Sequence, residues 1–171
     1  MKVSRRDLVR GAGALAATSL LNQRALGALL APCWLLAAPA AAASPDAQTA
    51  AVHQVLTDYI GLYAGPTLDR WRMLFDPAVV VAFPDADGGI RARNLDEFVE
   101  RQRNYFATGR RISERLENVR IDLGRRIARV SADFIFVDEG EERPGKLGLH
   151  LAEGKDGWKI VAVLFSYDTA E

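Results

Sequence analysis

From Arg111 to Tyr167 the chain carries four strand-patterned segments in succession, joined by tight turns, and this tail dictates an antiparallel sheet. In residues 127–137, Ala128, Val130, Ala132, Phe134 and Phe136 alternate onto one face. The segment before it changes phase. Ile112 and Leu116 share one parity, whereas Val119, Ile121 and Leu123 share the other. Without a bulge between them the two halves would present their apolar residues to opposite faces, so the spacing predicts a bulged, bent strand. A charged loop is expected over 138–145, a strand over 146–152, a turn at Gly154-Lys155-Asp156-Gly157 and a last strand over 158–167.

Ahead of this tail the pattern is mostly helical. Ser44-Pro45-Asp46 supplies a hydroxyl cap, a proline at the first helical position and an acid in the first turn. Val52, Val55, Leu56, Tyr59 and Tyr63 then recur on one face up to Gly65-Pro66. Thr67 is positioned to cap a short second helix carrying Leu68, Trp71 and Phe75. A β-branched run over 78–83, a turn at 84–89 and a short strand over 90–93 follow. Asn94 with Glu97 three residues later predicts a third helix, with Leu95, Phe98, Val99, Gln102, Tyr105 and Phe106 on one face. Three helices covering one face of a bent antiparallel sheet make an α+β domain, in which a curved sheet encloses a cone open at one end.

The first 43 residues read as a targeting segment rather than as part of that domain. Arg5-Arg6, set among Lys2 and Arg10 ahead of an Ala/Leu-rich stretch, match a twin-arginine export signal, and Ala41-Ala42-Ala43 offers a small-x-small cleavage site. Asn22-Gln23-Arg24 interrupts the apolar run, so no stable membrane span is expected after cleavage; retention as an N-terminal anchor and lipidation at Cys33 are the alternatives. Residues 44–171 would then form a single domain working in the periplasm. Removing residues 1–43 takes away five of the 22 basic residues, one of the 22 acids and the single cysteine, leaving a net charge of −4. Such a chain has no thiol chemistry and is a poor partner for nucleic acid.

Tyr59-Ile60-Gly61-Leu62-Tyr63 running into Leu68-Asp69-Arg70-Trp71, then Leu74-Phe75-Asp76-Pro77-Ala78-Val79-Val80, Asn94-Leu95-Asp96-Glu97-Phe98, Asp156-Gly157-Trp158-Lys159-Ile160 and the closing Ser166 together resemble the nuclear transport factor 2-like superfamily over about residues 48–168. That resemblance implies the cone-shaped α+β fold shared by SnoaL-like polyketide cyclases, ketosteroid isomerase, scytalone dehydratase, limonene epoxide hydrolase and non-catalytic binding modules. It also leaves a homodimer open, since the family often pairs through its sheet. Steroid isomerisation needs a tyrosine, a carboxylate base and a protonated acid. Tyr59 matches the tyrosine of that pattern. The position of the base falls on Ala82-Phe83-Pro84, and the strand at 146–152 has no acid, so that chemistry is not expected.

The remaining candidates are few. Tyr59 faces inward on its helix, and its hydroxyl needs a partner from protein or ligand. His150 alternates with Leu147, Leu149 and Leu151, placing it either in the cone as an acid–base group or on the outer side of the sheet; His53 lies beside the apolar stripe of the first helix. Asp133 is either a pocket carboxylate or, with Arg129 and Ser131, part of a solvated face. Trp71, Phe83, Phe98, Tyr105 and Phe106 are core residues or pocket lining. Arg101, Arg103, Arg110, Arg111 and Arg115, interleaved with Glu100, Glu114 and Glu117, read as a salt-bridged surface. No metal site and no cofactor are expected, for want of a ligand cluster or phosphate-cradling loop. The favoured expectation is an exported accessory or binding domain whose apolar cone takes a small hydrophobic molecule. The alternatives are a cofactor-free lyase, isomerase or cyclase using Tyr59 and His150, and a dimeric scaffold with a filled cone.

Overall fold

A computed structural model describes residues 44–85 and 87–168. The expected export signal, its cleavage site and Cys33 lie outside the described residues. Helix α1 (Pro45–Gly61) starts as its sequence dictates: the Ser44 hydroxyl accepts the Ala47 N–H at 3.2 Å with proline in the first turn. It stops at Gly61, earlier than Gly65-Pro66. Tyr63 thus lies just past its end, and a 3₁₀ turn (Gly65–Thr67) intervenes before α2 (Leu68–Arg72). Thr67 makes no side-chain cap; its hydroxyl instead donates to the Leu62 carbonyl at 2.8 Å, pinning the link between the helices. Helix α3 (Leu95–Ala107) is capped as expected, with Asn94 Oδ1 accepting the Glu97 N–H at 2.9 Å. No described helix is long and apolar enough to cross a membrane.

Six strands, β1 (Phe75–Pro84), β2 (Ile90–Arg93), β3 (Ile112–Leu123), β4 (Ile127–Asp138), β5 (Glu141–Gly154) and β6 (Gly157–Tyr167), form one unclosed sheet in the order β2-β1-β6-β5-β4-β3. All neighbours are antiparallel except β1 and β6, which run parallel. Strand β5 begins at Glu141 within the expected loop. The loop shrinks to the hairpin turn at Glu139-Gly140, both with positive φ. Pro144 is tolerated there because β6 ends opposite Gly145, so this stretch of β5 is an edge where a missing N–H costs no ladder bond.

The curvature comes from bulges. On β3 the register slips between Glu117 and Arg120, where two residues oppose one on β4 and Asn118 takes φ 51°. This is the bulge demanded by the phase change, and it turns Ile112, Glu114 and Leu116 to the same face as Ile121 and Leu123. A second slip, between His150 and Leu151 against β6, lets Trp158 and Ile160 point inward before it and Val163 after it.

The core lies between the concave face and the helices. Trp71 is 1% exposed and is the hub of an aromatic cluster, with Phe75 at 4.7 Å, Tyr63 at 5.3 Å, Phe98 at 5.5 Å and Tyr59 at 5.6 Å between ring centroids. Its indole N–H donates to the Tyr59 carbonyl at 2.9 Å, which fastens α2 to α1. Truncating such a residue to alanine costs about 3–5 kcal/mol. At the far end of β4 the buried Asp138 carboxylate pairs with Arg110 at 2.8 Å and Arg143 at 3.4 Å, tying the segment after α3 to the β4–β5 hairpin.

Candidate functional site

The cone is not filled. A cavity of about 110 Å³ remains between the helices and the concave face. Tyr59 of α1, Tyr63, Trp71 of α2, Phe98, Gln102 and Tyr105 of α3 form its helical wall. Phe134 and Phe136 of β4, Leu147 of β5, and Val163, Phe165 and Tyr167 of β6 form its sheet wall, with Phe83 of β1, Arg93 of β2, Arg101 of α3 and Glu114 of β3 completing it. Its volume is close to that of the roughly 150 Å³ apolar cavities known to hold one benzene ring. A multi-ring skeleton does not fit the enclosed part.

Five residues expected in the core or pocket behave differently from one another. Trp71, Phe83, Phe98 and Tyr105 line the cavity, but Phe106 does not: it packs against Tyr63 at 5.2 Å between ring centroids and against Gly65. His150 is exposed on the convex face, opposite Arg129 and Ala162 on the neighbouring strands, because its parity is that of the outward residues of β5. It cannot serve the cone as acid or base. Asp133 is on the same outer face, where it accepts from Lys146 and Asn118, each at 2.7 Å. Those two partners hold its carboxyl below the usual carboxylate range. The solvated-face alternative is the correct one for both residues.

The acid within the cone is Glu114, read from sequence as part of a salt-bridged surface. Its neighbours do pair outside: Arg115 forms a fork with Glu142 at 2.9 and 3.0 Å and also holds Glu117, while Arg103 takes Glu100 and Asp69. Glu114 itself, between Ile112 and Leu116 on the inward parity of β3, has neither a hydrogen bond nor an ion pair among the described residues. It is half-buried and lines the cone cavity. Burial without a compensating partner disfavours the ionised form and pushes its pKa from 4.5 to about 7. The signal was present in the sequence: an acid alternating with Ile112 and Leu116 shares their face.

Two phenols respond to that carboxylate. Burial, reinforced by the Glu114 charge, raises Tyr59 well above its ordinary value, and Tyr63 is raised for the same reasons. Both therefore stay neutral donors at every physiological pH. Tyr63 spends its hydroxyl on Gln102 Oε1 at 2.5 Å. The Tyr59 ring is only 4% exposed, and among the described residues its hydroxyl has no protein partner. A group that titrates near neutrality and a neutral donor with an open valence thus share one chamber, walled mostly by aromatic rings. Among the described residues no group of three or more His, Cys, Asp or Glu side chains could hold a metal ion.

Known proteins of this shape are numerous. A protein from Streptomyces avermitilis, provisionally named a dehydratase of the nuclear transport factor 2-like family, superposes with a TM-score of 0.62 at 16% identity, covering 74% of this chain and 100% of its own. A protein from Novosphingobium aromaticivorans, provisionally named a scytalone dehydratase, gives 0.60 at 14% identity, covering 72% of this chain and 85% of its own. One from Kribbella flavida gives 0.63 at 12% identity, with 75% and 95% covered. At such identities the likeness is one of fold. No curated protein is similar enough in sequence to count as a match. The SnoaL-like domain pattern, by contrast, matches residues 52–169, running from the first buried residue of α1 past the end of β6. With that span and the helix-covered cone in agreement, the chain belongs to the SnoaL-like domain family.

Proposed function

We propose that this domain is a cofactor-free acid–base catalyst, a lyase or isomerase, acting on a small single-ring or comparably sized molecule that carries a carbonyl group. The observation that carries this reading is Glu114, an unpaired carboxylate buried in a chamber walled mostly by aromatic rings, with its pKa moved to about 7. Near neutrality it is populated both as base and as acid. In its ionised form it takes a proton from the carbon next to the carbonyl. Tyr59 donates a hydrogen bond to the carbonyl oxygen as negative charge builds there. Where a double bond lies one carbon further on, the carboxylic acid so formed then returns its proton to the far carbon of the resulting dienolate, which is isomerisation. Alternatively it protonates a departing hydroxyl as the C–O bond breaks and water leaves, which is dehydration. In either case Glu114 ends as it began.

A pure binding role was the favoured expectation because the polar inventory of the cone was weak, and Glu114 adds to that inventory. The arginine pair at residues 5 and 6 supports placing this activity in the periplasm, after export of the folded domain by the twin-arginine route. Base competence is tested with 3-cyclohexen-1-one, a single-ring ketone that isomerises to its conjugated form when a base removes a proton from the carbon between its carbonyl and its double bond and an acid returns one at the far carbon of the dienolate. The protein should accelerate the isomerisation, read as a rise in ultraviolet absorbance, with a rate that climbs through pH 7, and Glu114→Gln should abolish the acceleration. A rate equal to that of buffer, or one insensitive to Glu114→Gln, would overturn the proposal.

A further inference from the structure

Two arginines stand at the chamber without a carboxylate. Arg93, half-buried at the end of β2, lies over the Phe83 ring with its guanidinium carbon 4.4 Å from the centroid. Arg101 of α3 lies over Tyr105 at 5.7 Å. Both line the cavity and also the shallow surface groove that adjoins it, so they mark its mouth. Neither forms an ion pair or hydrogen bond among the described residues, although the arginines around them do. Arg91 holds Asp85, Arg72 holds Asp96, and Arg103 holds Glu100 and Asp69. Glu97, one turn before Arg101, is the nearest acid left over; it acts on Arg93 only through space.

Nor do the arginines serve Glu114. A guanidinium within reach would hold that carboxyl low, whereas burial alone governs it. The chamber therefore has two separated poles: a base inside and a cation pair at the mouth. Burial and the charges of Arg101 and Arg91 work against the Arg93 cation, and Glu97 offsets them only in part, so the mouth keeps two guanidiniums without a direct carboxylate partner. Each guanidinium lies against an aromatic ring of the wall, an arrangement that leaves its N–H edges free for the planar, two-point recognition that carboxylates offer.

We infer that the natural ligand is a monocyclic carboxylate, its ring in the cone beside Tyr59 and Glu114 and its carboxylate held at the mouth by Arg93 and Arg101. This deepens the acid–base reading by naming the substrate class, and it rests on that reading only for what happens to the ligand after it binds.

The test compares phenylacetate with phenylacetamide, equal in shape and different in charge, by calorimetry on the full mature protein. Phenylacetate should bind at least about tenfold tighter at low salt, with the advantage shrinking as salt is added. Arg93→Gln with Arg101→Gln should remove the preference while leaving the weak amide affinity in place, and circular dichroism should confirm that this variant is folded. The same comparison in Glu114→Gln separates the two ideas. The acid preference should persist there, even if the base proves idle. Equal affinity for acid and amide, or a preference that survives loss of both arginines, would overturn the inference.

Discussion

Replacing Glu114 with glutamine should make the protein more stable, and increasingly so as the pH rises. Below about pH 4.5 the carboxyl is protonated in both the folded and the unfolded chain, and its burial costs little that depends on pH. Between 4.5 and about 7 the folded chain keeps a proton that the unfolded chain has lost, so stability falls as pH rises. Above 7 the folded chain holds an ionised, unpaired carboxylate and bears the full penalty. A displacement from 4.5 to about 7 corresponds to a ceiling of about 3 kcal/mol. Water entering through the open mouth screens the charge, which brings the expected value to about 1–2 kcal/mol. Glutamine keeps the shape and loses the titration. Urea denaturation at pH 5, 6, 7 and 8 should therefore give a difference between variant and wild type that grows across the series. A difference constant from pH 5 to 8 would refute the reasoning, because it would mean that the carboxyl titrates alike in the folded and unfolded chains.

Gly145→Ala should destabilise the fold by about 3 kcal/mol in a chemical melt, since a Cβ there would press on the Ser166 carbonyl oxygen and come within 2.7 Å of the Phe134 ring, and neither can move without distorting β6 or the cone wall. His150→Ala should leave the pH–rate profile with 3-cyclohexen-1-one unchanged, because the imidazole lies on the convex face. Arg5→Lys with Arg6→Lys should leave the uncleaved precursor inside the cell on fractionation, since lysine lacks the planar fork of arginine.

The architecture was legible because it rests on local rules that the fold does not override. Ser44 and Asn94 cap their helices as short-range chemistry requires, and the phase change between Leu116 and Val119 dictates the β3 bulge. Where the reading failed, tertiary context decided. Residues 141–144 look like a charged loop, yet they pair along β4 because Arg115 reaches across to Glu142 and the arginines around Asp138 anchor the hairpin. The site was harder to see for a related reason. Glu114 is flanked by Arg110, Arg111 and Arg115, and composition suggested that it pairs with them. Those side chains instead find Asp138, Glu139, Glu117 and Glu142, leaving Glu114 alone on the inner face. The period-2 rule applied to Ile112, Glu114 and Leu116 carried the answer, and local charge counting obscured it. His150 and Asp133 show the same rule from the other side: each sits on the parity opposite to the buried residues of its strand, and each faces outward.

The most direct measurement is a carbon-13 NMR titration of the glutamate side-chain carboxyls, with the Glu114 resonance identified by its loss in Glu114→Gln. A midpoint at about pH 7 is expected, far above the ordinary 4.5 of an exposed glutamate. A Glu114 midpoint near 4.5 would show a solvated carboxylate with no hold on a proton at neutrality, and the acid–base role assigned to it would fall.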